Sequence, residues 1–250
     1  MRHFLHETLH FFSHLDNKFF KTFALIFRRP GMLSTTYCAG VRNKYYNPFS
    51  LFFIGIVLYL LFPFFAGLNM SFNYNMINLH AQHMDFIGRL AEKKAIANNL
   101  SITELAEKYD HKSPSIAKGM LLIILPLTAL VLRFLFSRKK KYFFEQLVLA
   151  TEASCIMLYL NFFILPLILF IPQFIFKLAG IKGINLLTDA ITIPAFFIYA
   201  VIWNTVAFKR FFEISYFVAA RKGFLFLFLQ SVVIFIIYRL ILFLTVLLFI

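Results

Sequence analysis

The chain has 250 residues, of which 61% are hydrophobic and 14% are charged, and its mean hydropathy is +0.79. This composition excludes an ordinary soluble domain and indicates an integral membrane protein. A net charge of +14 would suggest nucleic acid as a partner of a soluble protein, but here the basic residues cluster beside apolar segments. Membrane topology and anionic headgroups both favour that arrangement, so we expect no nucleic-acid partner.

Residues 1–29 are predicted to form an amphipathic helix, because polar and apolar side chains separate onto two faces at about 100° per residue. We assign it as an interfacial helix that lies along the membrane surface. Packing of its apolar face on the protein's own helices remains an alternative.

Three histidines of this helix, His6, His10 and His14, follow one another at i, i+4 spacing. This spacing allows a helix to chelate a divalent metal, but only Glu7 lies nearby to complete a ligand set. The histidines are therefore weak metal candidates, and a solvated polar face or a pH-sensitive surface remain alternatives. We expect no cofactor.

Residues 30–46 are predicted to form a basic cytoplasmic hinge. Pro30, Gly31 and Gly40 interrupt any continuous helix there. Arginine offers a planar fork to phosphate and lysine a compact charge, so the hinge is a hypothetical site for a lipid headgroup or phosphate. Its candidate residues are Arg28, Arg29, Tyr37, Arg42, Lys44 and Tyr45. Positive charge that only sets the membrane topology is the alternative.

Residues 47–250 are predicted to form an all-α membrane domain with about five transmembrane helices. The spans are expected at 47–68, 117–136, 142–176, 188–208 and 223–250. An external loop at 69–116 should contain two short helices, the second of which begins at a capping box of Ser101 and Glu104. Basic residues beside the spans place the N-terminus in the cytoplasm and the C-terminus outside.

Three ionisable residues lie within the predicted spans. Glu145 should lie near headgroups, whereas Glu152 falls about 15 Å into the third span, close to the bilayer middle. Arg239 falls about 16 Å below the outer side by the same count. We hypothesise a buried Glu152–Arg239 pair. Snorkelling of Arg239 and a polar pathway through both residues are the alternatives.

The hinge also carries a motif: a threonine near a helix end, a Pro-Gly turn, a tyrosine, then Gly-x-Arg-x-x-Tyr and a proline. The residues are Thr22, Pro30, Gly31, Tyr37, Gly40, Arg42, Tyr45 and Pro48. With this motif the chain resembles the bacterial membrane family known as domain of unknown function 3667. Tyr142 and Glu145 also resemble the Tyr and Glu of a Tyr-x-x-Glu-His motif that lies on a helix in that family. The N-terminal zinc ribbon common in that family is absent from this sequence. The resemblance implies a multi-pass protein of the bacterial inner membrane and emphasises the hinge, but it implies no activity.

The function predicted from the sequence is a non-catalytic module that binds anionic lipid or a partner protein through the hinge. The expected partners are membrane lipids, with a second copy or another membrane protein as further possibilities. One alternative is a transporter or transport accessory that uses Glu152 and Arg239. A second alternative is an enzyme on lipid-linked phosphate substrates with Glu145 as acid or base, although the sequence contains no recognised nucleophile motif.

Overall fold

The computed structural model describes residues 17–61, 71–73, 85–139, 141–178 and 189–250. Within these ranges the regular secondary structure is entirely helical. The predicted all-α class is therefore confirmed. The first four helices are α1 (Asn17–Arg28), α2 (Met32–Cys38), α3 (Pro48–Leu61) and α4 (Asp85–Ala97). They are followed by α5 (Ile102–Leu135), α6 (residues 143–178), α7 (Asp189–Phe212) and α8 (Tyr216–Phe249).

The apolar face of helix α1 packs on the helical bundle. This packing is the alternative that the sequence left open beside an interfacial helix. Phe19, Thr22 and Ile26 are its buried residues. The Phe23 ring meets Tyr159 edge-on at 5.0 Å between centroids, and the Trp203 indole N–H donates to the Ile26 carbonyl at 2.8 Å. A buried indole with a satisfied N–H is a strong anchor, so this helix is fixed to α6 and α7.

Helix α5 joins two elements that the hydropathy pattern separates. The capping box is confirmed: Ser101 Oγ accepts from the Glu104 N–H at 3.2 Å, and the Glu104 carboxylate accepts from the Ser101 N–H at 2.7 Å. The helix that begins there does not end in the loop. It continues through a short 3₁₀ turn at Leu121–Ile123 into the predicted second span.

Helices α5 and α8 lie antiparallel. Gln230 donates to Thr128 at 2.8 Å, and the Tyr238 hydroxyl donates to the Ala117 carbonyl at 3.4 Å. Further along, the Lys112 ammonium donates to the Phe249 carbonyl at 2.6 Å. Each helix is 34 residues long and therefore about 51 Å in length, which exceeds the hydrocarbon thickness.

Helix α6 contains a π turn at Leu160–Ile164, immediately before Pro166. A proline lacks an N–H and its ring collides with the carbonyl four residues earlier. A π turn widens the helix locally, so the chain passes Pro166 without ending the helix. The structure thus has a distorted helix where the sequence predicts a kink or an end.

Among the residues that the structure describes, three helical segments are long and apolar enough to cross a membrane: Ile102–Leu135, Ile191–Phe212 and Tyr216–Phe249. Two shorter apolar helices occur at Pro48–Leu60 and Leu165–Ile175. Large hydrophobic side chains are exposed along α6, α7 and α8, among them Ile168, Phe174, Ile198 and Phe228. Such exposure is unfavourable in water and suits lipid, so the chain is a membrane protein.

Basic residues from four segments gather at one end of the bundle. The Phe136 ring stacks on Phe212 at 3.7 Å, which joins the α5–α6 turn to the end of α7. Two ammonium groups lie over rings of this cluster, Lys222 over Phe136 at 4.3 Å and Lys141 over Phe211 at 5.2 Å. We call this region the basic end, with residues Arg133, Arg138, Lys139, Lys141, Lys209, Arg210, Arg221 and Lys222.

Candidate functional site

The centre of the candidate site is a fully buried carboxylate on α6. Glu152 accepts hydrogen bonds from the Gly31 N–H at 3.0 Å and from the Ser34 N–H at 2.8 Å. The Ser34 hydroxyl donates to the same carboxylate at 2.5 Å. These N–H groups belong to the first turn of α2, where no intrahelical partner is available to them. Glu152 therefore caps the short helix in the hinge from the adjacent helix α6.

The Pro30–Gly31 turn fits only because residue 31 lacks a side chain. Gly31 has φ +73°, and a Cβ atom there would lie 2.8 Å from the Ala207 carbonyl oxygen and 2.9 Å from the Ala207 Cα. The Arg210 guanidinium donates to the Pro30 carbonyl. The turn is thus held between α6 and α7.

The other end of the hinge returns to α1. Gly40 turns the chain with φ +89°. Beyond it, the Tyr46 N–H donates to the hydroxyl of buried Thr22 at 2.8 Å, and that hydroxyl donates to the Lys18 carbonyl at 2.7 Å. The Tyr46 ring also meets Phe19 edge-on at 5.8 Å. The hinge is therefore a closed loop whose two ends are both anchored.

Between these anchors the hinge presents cations on aromatic rings. The Arg42 guanidinium lies 5.4 Å from the Tyr37 ring centroid, and the Lys44 ammonium lies 5.4 Å from that of Tyr45. Both cations are exposed, whereas both tyrosines are half-buried. We call these four residues the hinge surface. Two further candidates, Arg28 and Arg29, are exposed on the other side of the buried Pro30–Gly31 turn.

Glu145 lies at the start of α6, where it has a capping role. Its carboxylate accepts from the Tyr142 N–H at 2.8 Å and forms an ion pair with Lys141 at 3.3 Å. The hinge cysteine lies close to it: burial and, second, the negative charge of Glu145 raise the pKa of Cys38 to about 11. The C-terminal end of α2 thus lies beside the start of α6.

The Glu152 carboxylate accepts its hydrogen bonds from Gly31 and Ser34, which gives the predicted Glu152–Arg239 pair no support. Gly31 touches both Glu152 and Ala207, so Glu152 lies within about one helical turn of Lys209 at the basic end. Arg239 follows Lys222 by 17 residues of α8, which corresponds to about 25 Å along the helix axis. The buried Arg239 guanidinium lies over the Phe235 ring at 4.9 Å.

From Gln146 to Ile156, helix α6 is buried at nearly every position, among the hinge, α3 and α5. The Glu152 side chain therefore lies inside the protein and not against lipid, and its depth in the bilayer stays a prediction.

The histidines His6, His10 and His14 lie outside the described residues, so a metal site there stays a prediction. Within the ranges that the structure describes, no three metal-ligating side chains of the His, Cys, Asp or Glu types lie together.

The roles of Ser34, Arg210 and Trp203, and the contact of Thr22 with Tyr46, were not predicted from the sequence. Ser34 is the third residue of α2, whereas the N-cap position is held by Gly31. No local signal pairs Ser34 with a carboxylate 118 residues away.

Residues 16–60 match a family model described as "Protein of unknown function (DUF3667)". This match confirms the resemblance and supports membership of that family. No curated protein matches the chain, and no solved structure does. The matched residues include α1, the hinge and nearly all of α3. Within this part of the chain, the hinge is bonded at one end to Glu152 of α6 and at the other end to Thr22 of α1.

Proposed function

We propose that this chain, whose hinge carries the DUF3667 match, is a non-catalytic membrane module that binds anionic lipid headgroups at its hinge surface. In this proposal the basic end faces the cytoplasm of a bacterial cell. The observation that carries it is the arrangement of Arg42 and Lys44, each exposed and each held over a tyrosine ring on a loop anchored at both ends.

Preorganisation favours binding at such a loop. An exposed arginine or lysine loses side-chain entropy when it binds a phosphate, and the cost falls when an aromatic ring already restrains the side chain. Tyrosines also favour the membrane interface, because their rings are apolar and their hydroxyls polar. The hinge surface therefore combines the two residue types that suit a headgroup layer.

The basic end would add attraction over a longer range. It contributes eight cations, whereas Glu145 is neutralised locally by Lys141. Each basic residue near an anionic leaflet contributes about 1 kcal/mol of binding free energy. The two hinge cations, Arg42 and Lys44, should together contribute roughly 2 kcal/mol of binding free energy at moderate salt, which corresponds to about 30-fold in lipid affinity.

The contacts of the carboxylates favour this module over the two alternatives. Glu152 is buried and bonded to the hinge residue Ser34, which accounts for its position without a role in a transport pathway. Glu145 is occupied as a helix cap and ion-pair partner, which accounts for its position without an acid–base role.

Native mass spectrometry of the purified protein with added phosphatidylglycerol or phosphatidylcholine tests the proposal. The variant Arg42→Gln/Lys44→Gln should lose at least 10-fold in phosphatidylglycerol affinity and little in phosphatidylcholine affinity. The matched control is Lys18→Gln/Lys21→Gln, which removes two exposed charges from α1 and should change neither affinity substantially. Equal losses in both variants would indicate a diffuse charge effect. Unchanged lipid affinity with loss of a co-purifying protein would favour a protein partner instead.

A further inference from the structure

One corner of the basic end gathers cations where the turn between α5 and α6 meets the first turns of α8. We call it the basic corner, and its residues are Arg138, Lys139, Arg221 and Lys222. The Lys222 ammonium donates to the Leu135 carbonyl at 2.6 Å and lies over the Phe136 ring at 4.3 Å. The Lys139 N–H donates to the Phe136 carbonyl at 2.9 Å. The turn and α8 are therefore joined at this point.

The charges of the basic corner are not neutralised by acidic side chains. The side-chain charges that act on Lys222 come from the other three residues of the corner, and all are positive. The Glu145 carboxylate is paired with Lys141 at 3.3 Å. Within the described part of the chain, none of the four cations forms a salt bridge, either with Glu213 before α8 or with another carboxylate. Like charges at close range repel one another, so an anion that binds among them is stabilised by each of them.

The basic corner also adjoins an apolar stripe of α8 that faces lipid. Arg221 is exposed at the upper end of this stripe. It shares one helix face with three phenylalanines at i−4, i+3 and i+7, namely Phe217, Phe224 and Phe228. These side chains are 79%, 57% and 59% exposed. Residues 223–238 carry no charge, so the cations lie where the apolar run of α8 begins, at the level expected for headgroups.

We propose that the basic corner binds a membrane lipid whose headgroup is a phosphomonoester, with its acyl chains along the phenylalanine stripe of α8. A phosphomonoester carries three free oxygens and a charge of about −1.5 to −2 on one phosphate at neutral pH. The phosphodiester of an ordinary phospholipid carries a single negative charge. The concentrated charge of the monoester matches several cations that lie close together without an acidic neighbour.

Part of this site is organised before a lipid binds. One of the three Lys222 N–H donors goes to the Leu135 carbonyl, which leaves two for a phosphate. Arg138 on the turn and Arg221 on α8 are both exposed, so their guanidinium groups are free to bind oxygens of the same phosphate. The stripe below Arg221 then contacts the hydrocarbon of the lipid, which a soluble phosphate compound lacks.

This site is separate from the hinge surface and does not rest on it. The hinge surface consists of residues of the 37–45 segment, whereas the basic corner contains only residues of the α5–α6 turn and α8. The hinge surface is proposed to bind anionic headgroups in general. The basic corner should instead respond to the second negative charge of a phosphomonoester.

Native mass spectrometry of the full chain measures this selectivity. The two probes are dioleoyl phosphatidic acid and dioleoyl phosphatidylmethanol, which has the same acyl chains but a methyl ester on its phosphate. We expect the parent chain to bind phosphatidic acid about 10-fold more tightly than phosphatidylmethanol. Equal binding of the two lipids would overturn the proposal. Glycerol 3-phosphate in excess should not displace phosphatidic acid, and displacement would overturn the assignment of a lipid.

Variants assign the selectivity to the basic corner. Arg138→Gln/Arg221→Gln should reduce the preference for phosphatidic acid to about twofold or less. Arg89→Gln/Lys93→Gln is the matched control, because it removes two exposed charges from α4 and leaves the corner intact. The double glutamine variant of the hinge should also keep the preference, so failure of the hinge proposal and failure of this one are distinguishable. A preference that persists without the two corner arginines, or that falls equally in the α4 control, would contradict the assignment.

Discussion

Ser34 donates both its backbone N–H and its hydroxyl to the carboxylate of Glu152, at 2.8 and 2.5 Å. The two residues are separated by 118 positions, so one buried side chain of α6 determines the conformation of the hinge. Hydrogen bonds to a buried charge are stronger than neutral ones and depend on fixed geometry. The hinge surface therefore depends on a residue that is itself inaccessible to a headgroup.

Replacement of Glu152 should destabilise the protein in proportion to the acceptors that are lost. Glu152→Ala leaves the N–H groups of Gly31 and Ser34 buried without a partner, and we expect a loss of about 3 kcal/mol. Glu152→Gln keeps one acceptor oxygen and should cost less. Thermal unfolding in detergent, together with hydrogen exchange of residues 31–38, measures both effects. An alanine variant as stable as the parent chain would show that the hinge does not depend on this carboxylate.

The two hinge glycines offer a matched comparison, because both have positive φ but only one is crowded. Gly31→Ala would bring a Cβ within 2.9 Å of two Ala207 backbone atoms, whereas a Cβ at Gly40 meets nothing within 4 Å. Gly40→Ala should therefore cost about 1–2 kcal/mol for the left-handed backbone alone. Gly31→Ala should cost more, since α7 must also shift. Chemical denaturation of the two variants measures the difference, and equal losses would contradict the close approach of the turn to α7.

Thr22→Val removes the acceptor of the Tyr46 N–H while keeping the side-chain shape. We expect a loss of about 1–2 kcal/mol, because a part-buried amide is left without its partner. Faster hydrogen exchange at Tyr46 would locate the effect. Thr36→Val is the control, since Thr36 only donates to the Met32 carbonyl within α2 and should change stability little. Similar losses in both variants would argue against a specific role of Thr22.

Cys38 should react slowly with alkylating reagents at neutral pH. Burial and the Glu145 carboxylate raise its pKa from 9.0 to about 11, which reduces the thiolate fraction at pH 8 about 100-fold. The iodoacetamide rate, measured in a Cys155→Ser background, should rise with pH up to about 11. Glu145→Gln removes a negative charge, so it should lower the pKa and increase the rate at pH 8. A rate that already levels off near pH 9 would contradict the buried position of Cys38.

Glu152 and Arg239 should act independently in a double-mutant cycle. Glu152 bonds to the hinge residues Gly31 and Ser34, whereas the Arg239 guanidinium lies over the Phe235 ring, so the stability losses of Glu152→Gln and Arg239→Gln should add within about 0.5 kcal/mol. Thermal unfolding of the two single variants and the double variant measures this sum. A coupling above about 1 kcal/mol would indicate that the two residues interact.

Local patterns predicted much of the architecture. The apolar segments, the Ser101–Glu104 capping box and the chain turns at Pro30, Gly31 and Gly40 all depend on residues close in sequence. The continuity of α5 was not predicted, because its first half is polar, its second half is apolar, and Pro114 and Gly119 lie between the two halves. A change of hydropathy marks where surroundings change and not where a helix ends.

The candidate site was predictable only in part. The exposed cations Arg42 and Lys44 follow from composition and position beside the first span. The anchoring of the hinge does not follow from the local sequence. The contact of Ser34 with Glu152 joins residues 118 positions apart, and that of Trp203 with Ile26 joins residues 177 positions apart. The contacts of Glu152 were not predicted either, because helical rise alone does not reveal which neighbours surround a residue.

The capping of α2 by Glu152 also has a consequence for biogenesis. Ser34 leaves the ribosome 118 residues before the carboxylate that receives its hydrogen bonds. During that interval the nascent hinge must satisfy its amides with water or with a helper protein. Docking of α2 therefore has to follow insertion of α6, and a nascent chain stalled before Glu152 should still expose the hinge to protease.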